Sequence, residues 1–221
     1  MELGYYDQLA PDYDHARFGN SYGQYVDAQE RGLLRQWLAP YRDGTSLDLA
    51  CGTGRFLDLA THGLDLSAPM VDEAQRKHPA KPVHCLPAVE LGRLGIEFDA
   101  VFCLHLFMHL PLDEGQAIVR ACAPCVRRGG VLMFDAPSAL RRKLTRFRTT
   151  GWHGGTALSA GVVESWAGKS WKLHTWRGVL FFPVHRISAR FRRWFRPWDD
   201  LIGATPLKRI SSYLFFCLER Q

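Results

Sequence analysis

The segment Leu47-Asp48-Leu49-Ala50-Cys51-Gly52-Thr53-Gly54-Arg55-Phe56 constrains this chain more than any other. An apolar run of strand length, Ser46–Ala50, meets a glycine turn and then a stretch that reads as a helix opening near Arg55. In open α/β sheets ligands bind beyond the carboxyl ends of the strands, where glycine lets the backbone approach closely. A lone G-x-G is weak, but Asp65 strengthens it by closing a second short strand, His62–Leu66. A carboxylate there offers two acceptor oxygens, which match the vicinal hydroxyls of a ribose. The dinucleotide fingerprint G-x-G-x-x-G is not met, because position 57 is Leu and the acidic strand end comes early.

The flanking pattern alternates strand and helix. Residues 21–39 carry apolar groups at helical spacing and stop before Pro40. Ser67 is an N-cap with Pro69 in the first turn of a helix over Met70–Lys77. Strands follow at Pro82–Leu86 and Phe98–Leu104, the second a continuous apolar run suited to a buried parallel strand. A helix at Asp113–Val126 exits through Gly129-Gly130 into a strand at Val131–Asp135. Residues 137–170 are basic, glycine-rich and weakly periodic, which reads as a loop or cap. Two late strands, Thr175–Pro183 and Ser211–Glu219, bracket a basic-aromatic helix. The prediction is one α/β domain over 1–221: a Rossmann-like, doubly wound, seven-stranded and mostly parallel sheet, with helices on both faces and a cap insertion.

The net charge of +6 is concentrated in RRKLTRFR at 141–148 and RISARFRRWFR at 186–196. Such clusters favour anionic partners, and 186–196 is a candidate for peripheral membrane contact; the alternative is a helix packed on the sheet with a wet basic face. Six scattered cysteines read as reduced, buried thiols. Cys122-x-x-Cys125 has Pro124 inside it and no second pair, so it is read as helix packing and no metal site is expected. The first residues lack a basic start followed by an apolar stretch, and apolar runs are too short to cross a bilayer, so a cytoplasmic protein is expected.

Four pieces in order resemble the class I S-adenosylmethionine-dependent methyltransferases: DLACGTGRF at 48–56, GLDLSAPM at 63–70, FDAVFCLHLFMHL at 98–110 and RRGGVLMF at 127–134. The opening YYDQLAPDYDHARF at 5–18 is similar to the N-terminal lid of the small-molecule branch, which includes quinone-precursor and secondary-metabolite enzymes. The resemblance implies lid helices over 1–40, a cofactor-binding core over 45–135, and a substrate cap with the final strands over 136–221. S-adenosylmethionine is the implied cofactor. Asp48, Ala50, Gly52 and Gly54 would floor its methionine portion, and Asp65 would hold the ribose. Leu66, Met70, Ala88 and Val89 would flank the adenine, and Leu104 and His105 would sit beside the sulfonium. Tyr13 and Arg17 would close from the lid, with Arg17 on the carboxylate. Three departures stand out: Ala50 where glycine is usual, Pro87 where an acidic residue often precedes the alanine, and a short Gly54–Asp65 segment whose helix must lose a turn or two.

Methyl transfer needs alignment, exclusion of water and, for a hydroxyl acceptor, a proton acceptor. His105, His153 and His185 are the candidate bases, each weighed against a structural or surface role; His109 is a further histidine at the end of the fourth strand. The acceptor class expected is a small hydrophobic or anionic molecule methylated on O or N. An RNA methyltransferase and a non-catalytic cofactor-binding partner subunit are the alternatives. Against nucleic acid, CLHLFMHLP after the fourth strand lacks the Asn/Asp-Pro-Pro-aromatic signature and no Pro-Cys nucleophile follows.

Overall fold

The glycine turn leaves a sheet whose strands are short at one side and long at the other. The computed structural model describes Asp7, residues 9–147 and residues 155–221. Strands β1 (Ser46–Leu49), β2 (His62–Asp65), β3 (Val83–Cys85), β4 (Phe98–Cys103), β5 (Val126–Pro137), β6 (Trp171–Val179) and β7 (Tyr213–Arg220) form one sheet in the order β3-β2-β1-β4-β5-β7-β6. The first five run parallel, and β7 enters antiparallel between β5 and β6. The chain winds outward from β1 through β2 to β3, then returns to β4 on the other side. That reversal opens a crevice beyond the carboxyl ends of β1 and β4.

The α-helices are α1 (Tyr13–Phe18), α2 (Ser21–Leu38), α3 (Ala68–Lys77), α4 (Leu112–Cys122), α5 (Ala139–Thr145), α6 (Ala160–Ala167) and α7 (Ala189–Ile202), with short 3-10 segments between elements. Alternating side chains divide the core into two layers. Phe102, Met133 and Phe215 pack with Leu33, Leu34 and Leu38 of α2 on one face. Val101, Phe134 and Phe216 pack with Ile118 and Val119 of α4 and Val163 of α6 on the other. The expected doubly wound, mostly parallel seven-stranded sheet is therefore present. Among the described residues, no helix is long and apolar enough to cross a membrane.

Local boundaries follow local chemistry. Asn20 caps α2 by accepting from the Tyr22 and Gly23 amides at 3.0 and 2.9 Å. Ser67 caps α3 by accepting from the Met70 amide at 3.4 Å. The helix expected near Arg55 does not form, and a single 3-10 turn, Leu57–Leu59, connects β1 to β2. Too few residues separate the two strands for a covering helix, and Lys81 Nζ satisfies the carbonyls of Leu57 and Ala60 at 2.6 and 2.5 Å instead. Helix α4 stops at Cys122, because Pro124 turns the chain into a 3-10 segment, and β5 starts at Val126 rather than Val131. The segment read as a loop or cap contains α5 and α6, capped by Ser138 and Ser159. Strand β6 starts at Trp171 and ends at Val179, where Leu180 takes a left-handed φ of 58°. All six cysteines are free, and Cys85 is exposed where a buried thiol is expected, because it lies on the edge strand β3.

Phe134 has no exposure and sits between Phe107 and Phe216, at ring-centroid distances of 4.4 and 5.5 Å. Phe134→Ala should cost about 3–5 kcal/mol of stability, measured by urea denaturation, since the parallel strand leaves little room to collapse.

Candidate functional site

Strand β1 is buried at every residue and delivers the chain into a tight turn. The Cys51 amide donates to Leu64 O at 3.0 Å, and the Gly54 amide closes the turn on Cys51 O at 2.9 Å. Gly52 and Gly54 take left-handed φ of 53° and 81°. A Cβ on Gly54 would stand 3.1 Å from both Ala74 Cβ and His78 Cδ2, so this glycine lets α3 approach the turn. Ala50 also takes a left-handed φ, 58°, which an L side chain adopts at a cost. Asp65, at the end of β2, accepts from the Gly52 amide at 2.8 Å and the Ser67 amide at 2.9 Å. Burial raises its pKa, partly offset by those backbone amides.

Beyond these strand ends opens a cleft of about 360 Å³. Its wall includes Tyr13, Asp48, Ala50, Gly52, Asp65, Leu66, Met70, Ala88, Val89, Leu104 and His105. Pro87 lies beside Ala88 on the same wall. Asp48 is buried, its Oδ2 has no hydrogen-bond partner within the chain, and burial pushes its pKa well above the usual carboxylate range. An orphaned carboxyl oxygen beside two left-handed glycines and an apolar wall fits a ligand that brings a cationic or donor group to Asp48.

The N-terminal segment is tied to this floor. Ser67 Oγ donates to Asp7 Oδ1 at 2.6 Å, Thr53 Oγ1 to Asp14 Oδ1 at 2.6 Å, and Lys77 Nζ to Asp14 Oδ2 at 2.6 Å. Arg55 is stacked between the rings of Phe18 and Phe56, 3.8 Å from each centroid. Its guanidinium pairs with Asp27 at 3.0 Å and Glu30 at 2.8 Å.

Glu30 joins that cluster to the end of β4. His105 Nε2 stands 2.8 Å from Glu30 Oε1, enclosed and off the line of an N–H hydrogen bond, while Nδ1 faces Asp135 Oδ2 at 3.7 Å. The His105 amide donates to Asp135 Oδ1 at 2.6 Å, which holds the residue at a left-handed φ of 61°. Burial works against charge on the imidazole, but Glu30 and Asp135 outweigh it, and the His105 pKa lies above its ordinary value. Burial opposes charge on Glu30 as well, yet His105 and Arg55 hold its carboxyl down at about 2. Burial dominates at Asp135, whose pKa is raised despite His105.

Arg17 and His185 fall elsewhere. Arg17 is exposed, stacks over the Tyr13 ring at 5.9 Å, and is not on the cleft wall; Arg55 is the arginine there. His185 is exposed and meets Tyr22 edge-on at 6.4 Å, away from the cleft. His153 lies outside the described residues. His109 lines the cleft beside Leu110 and Glu114. Sequence reading missed Arg55, Glu30, Asp14 and Asp135. Of these, Asp135 carried a readable signal, a carboxylate closing a strand expected beside the fourth.

Residues 47–134 match the family model described as a methyltransferase domain. A magnesium-protoporphyrin O-methyltransferase of Synechocystis sp. is 32% identical over 103 residues, covering 42% of this chain and 44% of the relative. A chloroplastic magnesium protoporphyrin IX methyltransferase of Arabidopsis thaliana is 32% identical over 100 residues, covering 41% and 32%. The matched stretch therefore spans less than half of either curated relative. A crystal structure of magnesium protoporphyrin IX methyltransferase from Synechocystis, with bound S-adenosylhomocysteine, superposes at a TM-score of 0.68 and 18% identity, covering 99% of this chain and 98% of that one. The likeness of fold to that structure thus extends over the whole chain.

Within the matched segment, Ala50 occupies a backbone conformation that glycine adopts freely. Ala50→Gly should raise stability by up to about 1 kcal/mol, the left-handed cost less the added chain entropy, read as a higher urea midpoint.

Proposed function

We propose that this chain is an S-adenosylmethionine-dependent methyltransferase acting on oxygen or nitrogen of a small hydrophobic or anionic acceptor. One observation carries the reading. The backbone-held carboxylate of Asp65 and the orphaned Asp48 oxygen flank the glycine turn on one side of a cleft that has His105 on its wall. Asp65 retains acceptor lone pairs for a ribose diol, and Asp48 offers its free oxygen to an ammonium. Leu66, Met70, Ala88 and Val89 supply an apolar slot for a flat heterocycle, with backbone groups near Pro87 and Ala88 taking the place of an acidic side chain. Tyr13 and Phe18 of the N-terminal segment close over the same space.

When bound, S-adenosylmethionine supplies an electrophilic methyl group on a sulfonium. The chain's part is to align the acceptor, exclude water and receive the acceptor's proton. Of the expected bases among the described residues, His105 is the one at the cleft, and its imidazolium is stabilised by Glu30 and Asp135. With Nε2 enclosed against Glu30, Nδ1 is the nitrogen left to exchange a proton with an acceptor. The curated relatives are named for a magnesium protoporphyrin, which places flat apolar acceptors first in a screen.

Calorimetric titration with S-adenosylmethionine and S-adenosylhomocysteine tests the cofactor. Wild type should bind both, and Asp65→Ala should bind about 10- to 100-fold more weakly, as expected for losing hydrogen bonds to a charged group. Asp65→Asn, which keeps an acceptor oxygen for one of the two backbone amides, should fall between them. A folded wild type that binds neither compound overturns the reading, and binding without turnover on any acceptor supports the partner-subunit alternative.

The base is tested through pH. His105 must be neutral to accept a proton, and its pKa is raised, so activity should climb with pH through a limb above the ordinary histidine value. Glu30→Gln removes a negative charge beside the ring and makes the imidazolium less favourable. Its acid limb should therefore move to lower pH, measured as the kcat profile and, independently, by NMR titration of the His105 ring.

A further inference from the structure

Helix α7 is packed the wrong way round for a helix buried on a sheet. Its polar residues face the protein. Asp199 has no exposure, accepts from Tyr25 Oη at 2.8 Å and from the Phe181 amide at 2.7 Å. Arg196 pairs with Asp200 at 2.8 Å and donates to Ala28 O of α2 at 2.8 Å. Arg192 donates to Ile187 O and to Ser21 Oγ at 3.0 and 2.7 Å. Its aromatic residues face out: Phe191, Trp194, Trp198 and Leu201 are 47, 65, 61 and 58% exposed. Their spacing puts them on one stripe of the helix. Of the two readings of the basic-aromatic segment, peripheral membrane contact or a helix that buries its aromatic face with the arginines wet, the second is not what the packing shows. Phe195 alone of its aromatics turns inward, onto Phe182 at 5.2 Å.

The stripe continues past the helix. The turn Pro206–Ile210, with exposed Leu207, packs against both α7 and α5. On α5 and its exit, Leu140, Leu144 and Phe147 are again exposed at helical spacing. Both α5 and this turn sit where β5 ends and its antiparallel neighbour β7 begins, at the same end of the sheet as the cleft. Cations border the apolar surface. Arg190 lies over the Phe191 ring at 4.6 Å, Arg193 over Trp194 at 5.3 Å, and Arg142 over Phe147 at 5.0 Å.

We propose that this face docks on an anionic lipid bilayer, with Phe191, Trp194, Trp198 and Leu201 in the interface and Arg190 and Arg193 on the headgroups. A tryptophan and leucine stripe edged by arginine is the composition that inserts to the depth of a headgroup layer. The edging charge selects an anionic surface. A second copy of this chain would bring two basic faces together, which like charge opposes. Nucleic acid would match the charge, but Leu201, Leu207, Leu140 and Leu144 offer no ring for a base to stack on. The proposal does not depend on the methyl-transfer reading.

Co-sedimentation with vesicles tests it. Wild type should bind mixed phosphatidylcholine–phosphatidylglycerol vesicles on the order of tenfold more tightly than pure phosphatidylcholine, and added salt should weaken the binding. The double variant Trp194→Ser/Trp198→Ser should lose binding to both lipids. Arg190→Gln/Arg193→Gln should reduce only the preference for phosphatidylglycerol, and unchanged thermal melts would show that both variants fold. Failure of wild type to bind mixed vesicles overturns the proposal, as does equal binding by the tryptophan variant. A lipid-free dimer that the tryptophan variant abolishes also overturns it, because the stripe would then be covered by a second copy. Tight binding to tRNA with none to vesicles does the same.

Discussion

Glu30 is the group on which the site's arrangement depends. It is nearly sealed from solvent in the middle of α2, and a carboxylate survives there only if opposite charges surround it. Arg55 supplies one from the glycine turn and His105 the other from the end of β4. Through this one side chain the helix, the glycine turn and the cleft wall are fixed relative to each other. Removing any member leaves the others buried without a counter-charge, so the cluster imposes position more than it adds stability. Asp135 extends it to β5 by holding the His105 backbone and facing its ring.

How legible this was follows from how local each feature is. The turn, Asp65 and the Ser67 cap are set by neighbours in sequence, and they are where the sequence reading placed them. The continuous apolar run at Phe98–Leu104 gave β4 for the same reason, since a strand buried on both faces needs no alternation. The helix expected at Arg55 failed because periodicity over so short a stretch does not distinguish one turn from three. The connection is too short for a covering helix, and Lys81, more than twenty positions away, caps the carbonyls left loose. Long range also explains Glu30, since an acidic residue in an amphipathic helix looks solvated until its partners are known.

The same reason accounts for Arg17 and α7. Two arginines near the cleft were available, and the one stacked between Phe18 and Phe56 is Arg55, a choice made by ring geometry that spacing does not encode. In α7 periodicity identified both the helix and its apolar stripe, but not which side faces inward. That was settled by Tyr25 and the Ala28 carbonyl on α2, which offer hydrogen bonds to Asp199 and Arg196. A polar face with good partners was buried, and an aromatic face without them was left outside.

The distances along the chain between these partners also set the order of events during synthesis. Tyr25 meets Asp199 across 174 positions, and Gln29 Oε1 accepts from the Leu180 amide across 151. Trp37 packs edge-on against Phe215 of the last strand, which lies inside the sheet between β5 and β6. The first long helix to leave the ribosome is thus among the last to be secured, waiting exposed until almost the whole chain has emerged. A protein arranged this way gathers its early core around β1 to β5 and gains its N-terminal cover only at the end. The half-made chain is its vulnerable state, and the slow step belongs to contacts of high sequence separation.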